Sequence, residues 1–153
     1  MIQRRALAMI AALAMLIGFG GAAHAAKPEI YTSILSNMGA GGYDVVAYFE
    51  QGAPIKGAAE FKTEYKGAEW RFSSAANLEK FTASPEAFAP QYGGYCAWAA
   101  AQGYTAPGNP KFWSVVDGKL YLNYDAKVQS DWLKDVPGFI AKANANWPGI
   151  LEK

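Results

Sequence analysis

The alternation of apolar and polar residues along the chain predicts two β-hairpins. Residues 61–65 and 69–72 alternate on either side of a glycine-containing turn, which is typical of a sheet with one buried and one solvated face. Residues 112–116 and 119–124 flank the dipeptide Asp117-Gly118, a strong signal for a tight hairpin turn. The pattern therefore predicts two antiparallel pairs of strands.

Helical spacing of apolar residues predicts about five short helices around these hairpins. Asp44 is expected to cap a helix over residues 45–50, and Ser73-Ser74 to cap the next one. A further helix is expected to begin near Cys96 and end at Gly103, and two more follow toward the C-terminus. The predicted fold class is α+β, a single small domain of two hairpins packed against about five short helices, without internal repeats.

The N-terminus is typical of a secretory signal peptide over residues 1–25. Arg4 and Arg5 precede an uncharged apolar run that is shorter than a membrane span, and Ala23-His24-Ala25 matches the small-x-small cleavage pattern. We expect a tether over residues 26–42 and one domain over residues 43–150. The expected location is periplasmic or secreted, with no membrane segment after cleavage of the signal.

Charge and composition exclude several classes of function. Without the predicted signal peptide, 12 basic residues stand against 13 acidic ones, and no basic run suggests nucleic acid or lipid headgroups. His24, the only histidine, would leave with the signal, which excludes histidine-dependent catalytic triads and zinc sites. No glycine motif for nucleotide phosphates is present.

Cys96 is the one cysteine in the chain and the main candidate for chemistry. Flexible Gly93-Gly94 precedes it, and an alanine-rich helical run follows it. Backbone N–H groups at a helix start lack partners and favour a thiolate over a thiol, so we expect a lowered pKa and reactivity. The alternative is a structural cysteine, because free cysteine often fills a core.

Other residues are candidates for a ligand pocket around the thiol. Tyrosines crowd the cysteine in sequence, and their hydroxyls are suited to bind a ligand or a sulfenic acid. The candidate set is Gly93, Gly94, Tyr92, Tyr95, Asp44 and Tyr43. An alternative reading for the aromatic residues is that they form the core. Met38 is a candidate to join Cys96 as ligand of a soft metal such as copper.

Several segments resemble the exported bacterial YHS domain proteins, a family that includes selenoproteins. The resemblance rests on residues 42–49, 65–74, 92–97 and 117–124, and extends from about Tyr43 to Trp147. YHS domains are described as metal-binding modules, with cysteines before the first strand and a Phe-Cys-Ser motif ahead of the helix. This chain lacks those first cysteines and has Phe72-Ser73-Ser74 in place of that motif.

The resemblance also bears on Cys96, because the exported branch includes members with selenocysteine at this position, which implies redox or nucleophilic chemistry. We therefore expect thiol-based redox chemistry or ligand binding at Cys96, with an external thiol or a small molecule as partner. Copper binding is the first alternative, and a non-catalytic structural or partner-binding domain is the second. The sequence alone identifies neither a cofactor nor an enzymatic reaction.

Overall fold

The computed structural model describes residues 24–153, so the predicted signal peptide lies almost entirely outside the described residues. The elements in chain order are α1 (Ala47–Glu50), β1 (Ala58–Tyr65), β2 (Ala68–Phe72), α2 (Ala75–Ala83), α3 (Pro85–Phe88), α4 (Ala97–Gln102), β3 (Asn109–Val116), β4 (Lys119–Asn123), α5 (Ala126–Trp132) and α6 (Val136–Asn146). Three short 3-10 turns, Gly39–Gly42, Gln91–Gly94 and Gly149–Glu152, accompany them. The predicted α+β class with two hairpins is confirmed.

The two hairpins have the same register at a spacing of 51 residues. Thr63 pairs with Trp70 in the first, and Ser114 pairs with Tyr121 in the second, so both partners are shifted by 51. Each hairpin also contains an irregularity at the same place, between Ala58 and Lys62 and between Asn109 and Trp113. Matching irregularities are informative, because a bulge changes the local twist and is not required by a hairpin in general.

The equivalence extends beyond the strands. The 3-10 turns before α1 and α4 both contain two consecutive residues in the left-handed region, Ala40 and Gly41 in one and Tyr92 and Gly93 in the other. We call residues 39–88 the first repeat and residues 91–146 the second repeat. The expectation that the chain has no internal repeat is therefore wrong.

Helix caps follow the same repeat. Ser74 caps α2 through the N–H of Asn77, and Asp125, 51 residues later, caps α5 through the N–H of Val128. An oxygen-bearing side chain at this position satisfies an N–H group that has no partner inside the helix. The cap is therefore conserved in geometry although its residue type differs between the repeats.

Two apolar clusters form the core, and β4 lies between them. Leu120 and Leu122 pack into the cluster of the first repeat with Trp70 and Phe81, whereas Tyr121 packs against Trp132 in the cluster of the second repeat. Successive side chains of a strand point to opposite faces, so one strand can serve both clusters. The repeats thus share a strand and pack as one domain.

The segment predicted as a tether contacts the domain. Ile30 is buried, the Tyr31 N–H donates to the Gly93 carbonyl at 2.9 Å, and the Lys27 N–H donates to the Leu151 carbonyl at 2.8 Å. Ile34 and Leu35 are fully exposed. Among residues 24–153, no helix has the length and apolar character that a membrane crossing requires.

Candidate functional site

Cys96 lies between the second 3-10 turn and α4, at the N-cap position of that helix. Its N–H donates to the Ala106 carbonyl at 2.9 Å, and its backbone pairs with Leu122 of β4. The side chain is only 1% exposed, and Sγ lies 3.7 Å from Oδ1 of Asn123. The predicted start of a helix at Cys96 is confirmed. The fold buries the sulfur and does not expose it to solvent.

Cys96 nevertheless lines a pocket of about 200 Å³. The pocket is lined by Cys96, Trp98, Ala99, Tyr104, Ala106, Tyr124 and Val128. Tyr104 and Tyr124 are about half exposed, so the pocket reaches the surface between aromatic side chains. A cavity of about 150 Å³ lined by apolar groups is known to admit a benzene-sized molecule, and this pocket is therefore large enough for a small ligand.

Burial raises the pKa of the Cys96 thiol, and the negative charge of Asp125 adds to this effect. The nearby backbone N–H groups of Ala99, Tyr124 and Trp98 lower the pKa instead, although the Trp98 N–H makes its hydrogen bond to Oδ1 of Asn123. Desolvation is the largest of these contributions and outweighs the donors. The expectation of a lowered thiol pKa is thus wrong, because the helix start that favours the thiolate is buried.

Asp44 occupies the position in the first repeat that Cys96 occupies in the second. Its N–H donates to the Ile55 carbonyl at 2.8 Å, as the Cys96 N–H does to Ala106. Oδ1 accepts from the N–H groups of Val46 and Ala47, which correspond to those of Trp98 and Ala99. The same backbone donors therefore face a carboxylate in one repeat and a thiol in the other.

The second oxygen of Asp44 completes a closed polar network. Oδ2 accepts from the Ser73 N–H at 2.8 Å, the Ser73 hydroxyl at 2.6 Å and the Asn77 side-chain amide at 2.8 Å. Asp44 is fully buried and lines none of the pockets described here. The predicted N-cap at Asp44 is wrong in position, because α1 begins at Ala47 with Val46 as its N-cap, but Oδ1 of Asp44 still accepts from the N–H groups of the turn that leads into the helix.

The residues that surround Asp44 are replaced in the second repeat by residues that leave space. Tyr124 stands at the position of Ser73 and points outward with 51% exposure, and Val128 stands at the position of Asn77. Neither replaces the hydroxyl or amide donor, and both line the pocket instead. The pocket beside Cys96 is thus the open counterpart of the filled network around Asp44.

Asn123 marks a further difference between the repeats. It stands where the first repeat has the fully buried Phe72, and it is itself fully buried. Its Oδ1 accepts from the Trp98 N–H at 3.2 Å, but its Nδ2 has no hydrogen-bond partner among the described residues. An unpaired buried donor costs free energy, so this amide calls for an explanation beyond packing.

The predicted pocket residues are only partly brought together with the thiol. Tyr92 and Gly93 line a different pocket, of about 160 Å³, together with Glu29 and Lys66. The Tyr92 hydroxyl donates to Asn144 at 2.8 Å, and the Tyr95 hydroxyl donates to the Pro28 carbonyl at 2.8 Å. These phenols anchor other segments, and burial raises the pKa of both hydroxyls.

Two further predicted residues have backbone roles. Gly94 is in the left-handed region at the end of the 3-10 turn, and its carbonyl lies against Gly108. Tyr43, the counterpart of Tyr95, pairs with Lys56. Trp98, Tyr124, Val128 and Asn123 were missed as site residues, although a buried-strand Asn was a usable signal, since strands disfavour it.

The residues around the sulfur do not fit a soft-metal site. Met38 lines a separate pocket with Glu64, Glu69 and Arg71, so it does not share the pocket of Cys96. Within residues 24–153, no three side chains of the His, Cys, Asp and Glu types gather where they could hold a metal ion. We therefore derive no chemistry through a metal, and copper binding remains an unsupported prediction.

A comparison with protein families identifies the first repeat. Residues 46–92 match the model of the YHS domain. These residues of the chain form a YHS domain. No curated protein and no solved structure matches the chain. The match covers the first hairpin with α2 and α3, whereas Cys96 and its pocket lie just beyond it, in the second repeat.

Proposed function

We propose that this YHS domain-containing protein is an exported thiol protein, which binds a small, largely apolar oxidant in the pocket beside Cys96 and reduces it. The predicted signal peptide supports export. The observation that carries the proposal is that Cys96 lines the roughly 200 Å³ aromatic pocket although its side chain is otherwise buried. An organic hydroperoxide is the class of oxidant that combines small size, an apolar body and a thiol-reactive oxygen.

The reaction is a two-electron oxidation of the sulfur. The thiolate of Cys96 attacks the terminal peroxide oxygen, the O–O bond breaks, and the alcohol leaves with a proton, so that the sulfur becomes a sulfenic acid. An external thiol then forms a mixed disulfide with Cys96 and releases water. A second external thiol releases a disulfide and restores the Cys96 thiol.

The raised pKa of Cys96 sets the pH dependence of this reaction. Only the thiolate is the nucleophile, so the rate should keep rising with pH beyond the free-thiol pKa of about 8.5. The three backbone donors stabilise the thiolate once it forms, and burial limits how much of it is present at neutral pH. We therefore expect Cys96 to be oxidised slowly at neutral pH, and only by oxidants that fit the pocket.

Access through the pocket is the property to test. We would measure sulfenic acid formation with tert-butyl hydroperoxide in the wild type and in Val128→Trp, which places an indole in the pocket. Val115→Trp, on the exposed face of β3, is the matched control. We expect the first variant to react at least about tenfold more slowly and the control to react like the wild type.

Two results would refute the proposal. A Cys96 thiol that reacts only after unfolding in urea would show that the pocket gives no access to it. Equal rates in Val128→Trp and the wild type, with the folded state verified by circular dichroism, would show that the oxidant arrives by another route.

A further inference from the structure

We propose that the polar groups around Cys96 form a binding site for an anion carried by residue 96 itself, and that cysteine sulfinate is the group that occupies it. The formation of the sulfinate rests on the proposed reaction with a peroxide. The binding site does not, because its donors belong to the fold. The inference thus assigns a second, doubly oxidised state to the folded protein.

The first repeat provides the template for this site. Asp44 is fully buried, and its carboxylate accepts five hydrogen bonds from Val46, Ala47, Ser73 and Asn77. Three of these donors are backbone N–H groups with counterparts in Trp98, Ala99 and Tyr124. In the second repeat these N–H groups lie around a single neutral sulfur, and the Trp98 N–H donates to Oδ1 of Asn123 at 3.2 Å.

Cysteine sulfinate resembles aspartate in its charge and in the number of its oxygens, although its sulfur is pyramidal where the carboxylate carbon is planar. Both side chains carry two oxygens on the atom bonded to Cβ, and both are anions at neutral pH. A thiol fills only the central position of this group, and the pocket beside it remains open. Two added oxygens would occupy the positions that the Asp44 carboxylate takes in the first repeat.

Asn123 is an independent indication of an anion at this position. Its carboxamide abuts the sulfur through Oδ1 at 3.7 Å, while the buried Nδ2 has no partner among residues 24–153. The terminal torsion of an asparagine has two broad minima, so a half turn exchanges the two atoms. Nδ2 would then donate to an oxygen on residue 96, and the Trp98 N–H, which now donates to Oδ1, would turn to the same anion. A neutral thiol has no acceptor of comparable strength.

Asp125 opposes the anion. It is the carboxylate whose charge acts on the sulfur, and it also accepts from the Val128 N–H at the start of α5. Serine caps the equivalent helix in the first repeat, so Asp125→Ser removes the charge and keeps the cap. We expect this variant to hold the sulfinate more firmly than the wild type does.

The chemistry requires two equivalents of peroxide. The first converts the thiol to the sulfenic acid and releases one alcohol or water. The sulfenic sulfur then attacks a second peroxide, the O–O bond breaks, and a second alcohol or water leaves. The resulting sulfinic acid gives up its proton, and its two oxygens share the negative charge.

The first test follows oxidation of the folded wild type by hydrogen peroxide. Peptide mass spectrometry should show Cys96 accumulating with two added oxygen atoms, and further oxidation should be about tenfold slower than in the urea-unfolded chain. The oxidised protein should melt at the same temperature as the reduced protein or higher. Onward oxidation at the unfolded rate, or a lower melting temperature, would overturn the proposal.

The second test needs no oxidation. Cys96→Asp mimics the sulfinate, and Cys96→Asn has the same shape without the charge. At pH 7 we expect the unfolding equilibrium constant of Cys96→Asp to be about tenfold lower than that of Cys96→Asn, because hydrogen bonds to a charged group are stronger than those to a neutral one. Asp44→Asn is the matched control, and there the loss of charge should raise the constant.

The two tests separate this inference from the proposed function. A folded thiol that resists peroxide, together with a stable Cys96→Asp variant, refutes the redox function and supports the anion site. A Cys96→Asp variant less stable than Cys96→Asn overturns the anion site even where the thiol reacts. Should both variants fail to fold, the melting temperature of the oxidised wild type decides.

Discussion

The two repeats use one backbone arrangement for opposite purposes. In the first, Asp44 is surrounded by donors from Val46, Ala47, Ser73 and Asn77, so that its network is complete and buried. In the second, the equivalent donors face Cys96, and an open pocket takes the place of the missing partners. A closed network holds the fold together, whereas an open one leaves room for a ligand.

The comparison of the repeats also shows why Cys96 is a candidate functional residue although its side chain is buried. Packing alone would favour an apolar neighbour, and the first repeat indeed has Phe72 in the place of Asn123. The second repeat instead places an amide with an unpaired donor beside the sulfur. The amide oxygen accepts from the Trp98 N–H at the start of α4, but the unpaired Nδ2 costs stability that an apolar core would not lose.

The largest effect is expected from removing the side chain at residue 44. Asp44→Ala removes the acceptor of five hydrogen bonds, although the Ala47 N–H keeps the Asp44 backbone carbonyl and the part-buried Ser73 hydroxyl can turn to solvent. The remaining unpaired donors should lower the free energy of unfolding by about 4 kcal/mol. Cys96→Ala should cost about 1–2 kcal/mol, mainly as lost packing. Urea unfolding at pH 7 measures both, and similar losses would contradict the difference between a closed and an open site.

The next largest effect is expected from alanine substitutions in the two 3-10 turns, which should differ in their cost to stability. Gly41 and Gly93 are equivalent and both left-handed, at φ values of 60° and 62°. A Cβ on Gly93 would collide with the Glu29 carbonyl, whereas one on Gly41 would lie 3.4 Å from Pro110. Gly93→Ala should therefore cost about 3 kcal/mol or more and Gly41→Ala about 1 kcal/mol.

Thermal unfolding of Gly93→Ala and Gly41→Ala measures this difference in stability. Equal melting temperatures for the two variants would show that the N-terminal segment does not press on the second turn. That result would also remove the contact of Tyr31 with Gly93 as an anchor of residues 26–42.

A smaller effect concerns pH. Because burial raises the pKa of the Cys96 thiol, the folded state keeps its proton where the unfolded state, with a pKa of about 8.5, has lost it. The resulting stabilisation is complete below that pH and is lost as pH rises above it. The unfolding free energy of the wild type should thus fall relative to Cys96→Ser above about pH 8.5.

Measuring the difference between these two proteins removes the contribution of the tyrosines. Burial also raises the pKa of Tyr48, Tyr92, Tyr95 and Tyr121, and these groups are present in both proteins. A difference that stays constant from pH 7 to about pH 10 would indicate that the thiol titrates normally in the folded state.

The smallest effect tests the charge beside the thiol. Asp125→Ser keeps a helix cap of the type that Ser74 provides in the first repeat, so stability should change by no more than about 0.5 kcal/mol. Loss of the negative charge should lower the pKa of Cys96, since Asp125 raises it. The pH midpoint of thiol alkylation measures this shift, and Ser74→Asp, in the first repeat, should leave that midpoint unchanged.

Local sequence was sufficient for the hairpins, the caps and the position of Cys96. Alternation and the Asp117-Gly118 turn predict the second hairpin, and Ser73-Ser74 before an apolar periodic segment predicts the start of α2. These features depend on neighbours within a few residues. For this reason they could be predicted without knowledge of the rest of the chain.

The repeat could not be predicted in the same way. Its most visible shared residues are glycines and a tyrosine, and such residues are common in any loop. The equivalence depends on strand register and on backbone torsions, and different side chains satisfy both. Trp132 in the place of Phe81 fills its core as well, because a large apolar side chain is all that the position requires.

By itself, then, the sequence determined an α+β domain and one thiol at the start of a helix. The tertiary structure decided the environment of that thiol. Residues 96, 123 and 128 come together only because β4 carries the later two back against α4. Burial and distant neighbours set a pKa and create a pocket, and neither quantity is encoded in the residues adjacent to Cys96.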